Sequence, residues 1–126
     1  MRAVLDTSVV LASGVGDLEG ELAISAATLA ELHFGVLVAQ QPRVRAERLR
    51  RLTLLERRFD PLPVDEGVAA AYGELAAAVA ATGRQPRARV MDLLIAATAR
   101  AHNARLYTRN AKDLRGLDGF LEIVSV

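Results

Sequence analysis

Four carboxylates carry the most chemical potential in this chain: Asp6, Glu31, Asp92 and Asp113. They are hard oxygen donors. The sequence contains no cysteine, and His33 lies two residues from Glu31, too close in sequence to share its helix face. An oxygen-only set suits Mg²⁺ or Mn²⁺ and argues against zinc. Held close together without a cation, such groups repel and some are forced to protonate. A divalent ion removes that conflict. It can also lower the pKa of a bound water and neutralise phosphate charge during in-line attack, which is what phosphodiester hydrolysis needs. The expectation is one acidic, divalent-metal-binding site.

Each acid also has an ordinary explanation. Asp6 can cap the helix that follows it. Glu31, flanked by Ala30 and Leu32, taken alone reads as an exposed helix glutamate. Asp92 falls in the first turn of a helix, where the dipole favours it, although a helix so apolar leaves its carboxylate in need of a partner. Asp113 taken alone reads as a turn aspartate. Periodicity does not bring the four together; that depends on the elements carrying them.

Arg2 to Leu5 reads as a short buried strand ending at Asp6. Thr7-Ser8 opens a helix through Ala12, and Gly14-Val15-Gly16-Asp17 breaks it. Leu22 to Ser25 reads as a second strand. A helix over 26–39 follows, with Leu29, Leu32 and Val36 at helical spacing. After Gln40-Gln41-Pro42 comes an arginine-rich helix whose apolar residues are Val44, Leu49, Leu52 and Leu55. Phe59 to Val64 reads as a third strand, kept short and at an edge by Pro61 and Pro63. The next helix begins at Asp65-Glu66, runs to Thr82 and stops at Gly83. Past a polar loop from Arg84 to Arg89, the helix over 90–103 is apolar nearly all round and must be buried on several sides. Ala104 to Thr108 and Leu121 to Val124 read as the fourth and fifth strands, with Asp113-Leu114 in a short turn or helix between them. Such alternation implies a mostly parallel sheet covered on both faces. Open sheets of this kind bind ligands at the carboxyl ends of their strands, where Asp6 and Asp113 can share a crevice.

Composition agrees with one domain over 1–126. Apolar residues make up 52% and charged residues 25%, enough for one core and too apolar for disorder. The longest apolar runs stop well short of membrane-spanning length, and the N-terminus lacks the apolar stretch of a signal peptide. A cytoplasmic protein without disulfides or a cysteine nucleophile is the simplest expectation. The net charge of +1 hides an asymmetry: Lys112 is the only lysine, while Arg43, Arg45, Arg48, Arg50, Arg51, Arg57 and Arg58 crowd one segment. Arg84, Arg87 and Arg89 form a second cluster just before Asp92. Guanidinium forks suit phosphate, although a solvated helix face accounts equally well for such charge.

Four pieces of the chain together resemble the PIN-domain ribonucleases, and within them the VapC-like toxins of toxin–antitoxin pairs. They are Val4-Leu5-Asp6-Thr7-Ser8; Thr28-Leu29-Ala30-Glu31-Leu32 with Gly35; 92–99, beginning Asp92-Leu93-Leu94; and Thr108-Arg109-Asn110-Ala111-Lys112-Asp113. Each is weak alone, but all four in order span almost the whole chain. The resemblance implies an α/β/α sandwich around a parallel five-stranded sheet with the first strand central. It implies that Asp6, Glu31, Asp92 and Asp113 hold one or two Mg²⁺ or Mn²⁺ ions, supported by Thr108, Asn110 and Ser8. Leu114 stands where an aromatic residue is common in the family, a departure that affects packing more than chemistry.

The implied activity is metal-dependent endonucleolytic cleavage of RNA, leaving a 5′-phosphate and a 3′-hydroxyl, with tRNA, rRNA or mRNA as substrate. The implied partners are a VapB-like antitoxin and a second copy of the chain. Arg84, Arg87 and Arg89 are placed to contact the RNA backbone. The apolar face of the arginine-rich helix and its neighbour is a candidate antitoxin surface, unless it packs on the chain's own core. The aromatic residues Phe34, Phe59, Tyr72, Tyr107 and Phe120 form no interleaved platform, so core roles are expected for most. Two other classes compete: a non-catalytic RNA- or protein-binding module, and an aspartyl phosphatase. Against the second, Ser8 stands where a haloacid-dehalogenase-type enzyme needs another Asp.

Overall fold

Ala3, Val4 and Leu5 are wholly buried, as expected of a strand that lies inside a sheet and is covered on both faces. The computed structural model describes residues 1–12 and 17–126. Strand β1 (Arg2–Leu5) pairs in parallel with β2 (Glu21–Ile24) on one side and β3 (Arg105–Thr108) on the other; β4 (Ile123–Ser125) pairs with β3. The order is β2-β1-β3-β4, so the first strand is internal. The expected glycine break at Gly14-Val15-Gly16 lies outside the described residues.

The sheet has four strands, not the expected five. The segment expected as the third strand is reduced to one bridge, Ser25 with Leu62. The Leu62 N–H donates to the Ile24 carbonyl at 2.9 Å and its carbonyl accepts from the Ala26 N–H at 2.8 Å. Pro61 and Pro63 flank it with fixed φ and no N–H on the outer side, which suits a short edge segment that pairs on one side only.

Strand alternation divides the core into two layers. On one face Val4 and Leu106 pack with Val68, Leu75 and Val79 of α4 (Glu66–Ala81) and with the buried side of α5 (Val90–Ala101). On the other, Ala3, Leu5 and Tyr107 pack with α1 (Thr7–Val10), α2 (Ala26–Val38) and α3 (Pro42–Arg58). This is the expected three-layer α/β/α sandwich. Helix α4 ends as its sequence suggests: Thr82 is the cap and Gly83 follows at φ +85°, a left-handed conformation that glycine adopts without strain. The loop before α5 is tightened into a 3-10 turn at Pro86–Arg89, and a second 3-10 turn, Ala111–Leu114, follows β3.

Helices α2 and α3 are less sheltered than their apolar content suggests. Leu52 is buried and Leu55 partly so, but Leu49 and Leu54 are exposed. On α2, Phe34 is 67% and Leu37 72% exposed, with Val38 also open. Phe34 therefore departs from the expected core role. Leu32 and Val36 occupy the buried stripe of the helix, and Phe34 lies two residues from each, on the outer side. Phe59 and Tyr107 are buried, and Tyr72 and Phe120 pack partly against the core.

Candidate active site

The crossovers from β1 run to β2 on one side and, later in the chain, to β3 on the other. The carboxyl ends of β1 and β3 therefore border a topological switch point. Asp6 extends β1 by one residue, its N–H donating to the Tyr107 carbonyl at 2.9 Å. This pairing brings Asp6 alongside Thr108, the last residue of β3.

Asp6 occupies the N-cap position of α1 but makes no side-chain cap bond. Its carboxylate is committed elsewhere. Oδ2 accepts from the Ser8 hydroxyl at 2.6 Å and from the Thr108 hydroxyl at 2.9 Å. Among the described residues no donor meets Oδ1. The two hydroxyls are themselves held: Ser8 Oγ accepts the Arg109 N–H at 3.1 Å, and Thr108 Oγ1 accepts the Asn110 N–H at 3.0 Å. A carboxylate 7% exposed is thus fixed in orientation by both strand ends, and the capping explanation for Asp6 falls away. Ser8 and Thr108 support it through side chains. Asn110 contributes a backbone N–H and occupies the cap position of the 3-10 turn that carries Asp113.

Glu31 arrives from the other direction. Ser25, at the end of β2, caps α2 by accepting the Ala27 N–H at 3.0 Å. One turn on, Glu31 is half-buried and accepts the Thr7 hydroxyl at 2.6 Å; Thr7 also lies 3.1 Å from the Thr28 hydroxyl. The exposed-glutamate reading fails because α2 packs this face against the start of α1. Thr7 and Thr28 were not among the expected site residues. The available signals were Thr7 directly after Asp6, and Thr28 at i−3 from Glu31 on one helix face.

Asp92, in the first turn of α5, and Asp113 meet through an arginine. Arg89 lies 3.7 Å from an Asp92 oxygen and 3.4 Å from an Asp113 oxygen. The Asp92 carboxyl is pushed above its ordinary range. Burial is the largest cause, followed by the negative charges of Asp6 and Glu31 and, less strongly, Asp113; Arg89 partly opposes them. Asp6, Glu31 and Asp113 therefore all act on Asp92. Yet among the described residues no three acidic or histidine side chains are gathered into a ready cage for one ion. The donor set still fits a divalent cation: it is all oxygen, and its negative charges help raise Asp92 against the partial opposition of the Arg89 guanidinium.

The remaining expected residues divide. Arg84 is tied down, its guanidinium donating to the Arg115 carbonyl and to the Thr82 hydroxyl. Arg87 is exposed and lies on the same 3-10 turn as Arg89. His33 is exposed beside Glu56 at 3.6 Å, and half-buried His102 lies beyond the end of α5. Neither histidine is near the acids.

This arrangement has relatives. The PIN domain family profile matches residues 3–119. The chain is 37% identical to Ribonuclease VapC5 of Mycobacterium tuberculosis over 131 aligned positions, covering 98% of this chain and 94% of that protein. It is 36% identical to Ribonuclease VapC4 of the same organism, covering 86% of each. Among solved structures, a chain from VapBC-5, a member of the VapBC family of toxin–antitoxin systems from M. tuberculosis, superposes with a TM-score of 0.84 at 36% identity, covering 99% of this chain and 98% of that one. FitAcB from Neisseria gonorrhoeae gives 0.80 at 26%, covering 98% and 96%. A family profile that matches residues 3–119, with relatives 36–37% identical over 86–98% of the chain, settles the family: the chain belongs to the PIN domain family.

Proposed function

We propose that this chain, as one domain, is an endoribonuclease dependent on Mg²⁺ or Mn²⁺ and the toxin of a VapBC-type pair. The observation that carries this reading is the treatment of Asp6. A buried carboxylate at a helix N-cap forgoes capping, is held by two hydroxyls, and acts on Asp92 together with the charges of Glu31 and Asp113. Near-full-length similarity to proteins named ribonucleases supports it. A bound divalent ion would supply an activated water and offset charge on the phosphate. The chain's own contribution is to hold the ligands. Ser8 and Thr108 orient Asp6, Thr7 orients Glu31, and the turn after β3 presents Asp113. Arg89 stands where it can leave the carboxylates and take a phosphate oxygen. Hydrolysis of RNA in this site would suppress translation.

The proposed partner is a VapB-like antitoxin, supported by the likeness to VapBC-5, a member of the VapBC family of toxin–antitoxin systems. The open apolar residues Phe34, Leu37 and Val38 on α2, with Leu49 and Leu54 on α3, suit an amphipathic partner segment. A homodimer within that assembly is part of the same reading. No helix among the described residues is long and apolar enough to cross a membrane. The aspartyl phosphatase alternative loses ground because the Ser8 hydroxyl is bonded to Asp6.

The deciding experiment maps cut sites in total RNA with the purified chain and with Asp6→Asn, each with Mg²⁺ and with EDTA. Cleavage by the wild type in Mg²⁺ alone is expected. Undiminished cleavage by the folded variant, or cleavage unaffected by EDTA, overturns the proposal. Tight RNA binding without any cleavage would favour the non-catalytic module.

A further inference from the structure

Beside Glu31 a recess of about 360 Å³ opens between α1, α2 and α3. Its volume lies at the lower end of the roughly 300–1,000 Å³ typical of small-ligand sites. Thr7 and Glu31, the apolar Leu11 and Leu32, Gly35, and the arginines Arg48 and Arg51 line it. These two arginines belong to the α3 cluster whose ordinary reading is a solvated helix face.

Three observations make them more than surface charge. Arg48 is held in place, donating to the Gly35 carbonyl at 2.7 Å through one nitrogen and leaving its other donors available. Arg51 makes no ion pair or hydrogen bond among the described residues, and it also borders the adjoining hollow on α3 that contains Arg50 and Arg58. The positive surface therefore continues outward from the acids. Gly35 is the third observation. It sits within α2, where glycine costs about 1 kcal/mol relative to alanine. A Cβ there would meet nothing within 4 Å, so packing does not demand the glycine. Its effect is to keep the recess open.

We propose that this recess is an RNA subsite: it seats a nucleotide next to the cleaved linkage, with that nucleotide's phosphate on Arg48 and Arg51. The inference rests on the ribonuclease reading above. A lining that combines the Glu31 carboxylate of the acidic site, two guanidiniums and the apolar Leu11 and Leu32 matches the phosphates and nucleosides of a phosphodiester chain. One phosphate lies at the acids, the next at the arginines, with the nucleoside between them against Leu11 and Gly35. The arginines are positioning residues on α3, distinct from Arg84, Arg87 and Arg89 of the segment before α5. Their contacts add affinity and register without base specificity.

The test measures binding of a short single-stranded RNA by fluorescence anisotropy over a salt series in EDTA, beside cleavage in Mg²⁺. The proteins are the wild type, Arg48→Gln/Arg51→Gln, Gly35→Leu, and a control, Arg43→Gln/Arg57→Gln, on the same helix away from the recess. The double recess variant should bind about tenfold more weakly. Its log–log salt slope should fall by about 1.4, two phosphate contacts at roughly 0.7 each. Gly35→Leu puts bulk into the lining of the recess at a position where its Cβ meets no packed atom, and it improves helix propensity. It should melt no lower than wild type yet raise KM for RNA at least severalfold. The control should match the wild type. Unchanged affinity and slope in both recess variants, with the wild type cleaving normally, overturns the subsite alone. So does loss of antitoxin binding with RNA binding intact, which would make the recess a protein-docking groove. A wild type that neither binds nor cleaves RNA sinks the ribonuclease reading itself.

Discussion

Thr108 donates its hydroxyl to Asp6 Oδ2 at 2.9 Å although 102 residues of chain separate the two. Thr108 is fully buried and its oxygen also accepts the Asn110 N–H, so one hydroxyl joins the ends of β1 and β3 to the turn bearing Asp113. Thr108→Val keeps the shape and removes the hydroxyl. It should cost about 1–3 kcal/mol in stability, since it leaves a buried acceptor and an N–H without their partner. Cleavage should fall about 10–100-fold, the usual range for groups that orient a metal ligand. Thr108→Ser should restore most of both. Urea melts alongside cleavage rates check this, and a Val variant with wild-type kinetics removes Thr108 from the site.

The charge on Asp92 gives a pH signature. Its folded-state pKa is raised above the ordinary 3.8, chiefly by burial and then by the other acids. The folded state therefore binds the proton more tightly than the unfolded state between the two values. Metal-free stability from this group falls as pH rises through that window, and above it the ionised carboxylate is a standing cost. Asp92→Asn should accordingly melt higher than wild type at pH 7 in EDTA, with the difference vanishing below about pH 3.8. An unchanged or lower melting temperature at pH 7 contradicts the proposed electrostatics.

Divalent metal should reverse that order. Saturating Mg²⁺ or Mn²⁺ at a hundredfold excess over Kd stabilises a one-site protein by about 2.7 kcal/mol. The wild type should show a shift of that kind, and Asp92→Asn or Asp6→Asn little of it. Equal shifts in all three proteins would place the ion elsewhere.

Arg89 lies within 3.4 Å of Asp113 and 3.7 Å of Asp92, so it competes with any other cation for the same oxygens. Arg89→Gln should tighten Mn²⁺ binding severalfold in calorimetry. At the same time it should raise KM for RNA if the freed guanidinium takes phosphate in the wild type. Weaker metal binding would show instead that Arg89 orders the ligands.

Phe34 and Leu37 project from α2 into solvent, so their replacement touches little of the core. Leu37→Asp should change stability by no more than about 0.5 kcal/mol. Co-purification with the antitoxin encoded beside it should be lost. Retained co-purification moves the docking surface off this helix.

The sequence by itself determined the class of architecture and the chemistry available. Hydrophobic periodicity placed all five main helices to within a few residues, because burial on one face is a local pattern. Two prolines around Leu62 foretold a weak edge strand, and the structure reduced it further to a single bridge. The ordered motifs named the four acids. What only tertiary structure decided is how they are held. Whether Asp6 caps its helix depends on which hydroxyls reach it, and Thr108 comes from 102 residues away. Whether Glu31 is exposed depends on α1 crossing α2 at Thr7. Arg89 was one of three candidate RNA contacts until the fold set it between Asp92 and Asp113, and the α3 arginines resembled a solvated face until the fold put two of them at a recess that Gly35 also lines. Pairing across a parallel sheet is non-local, so the partners of a site residue are fixed by strand order and register, which no window of sequence contains.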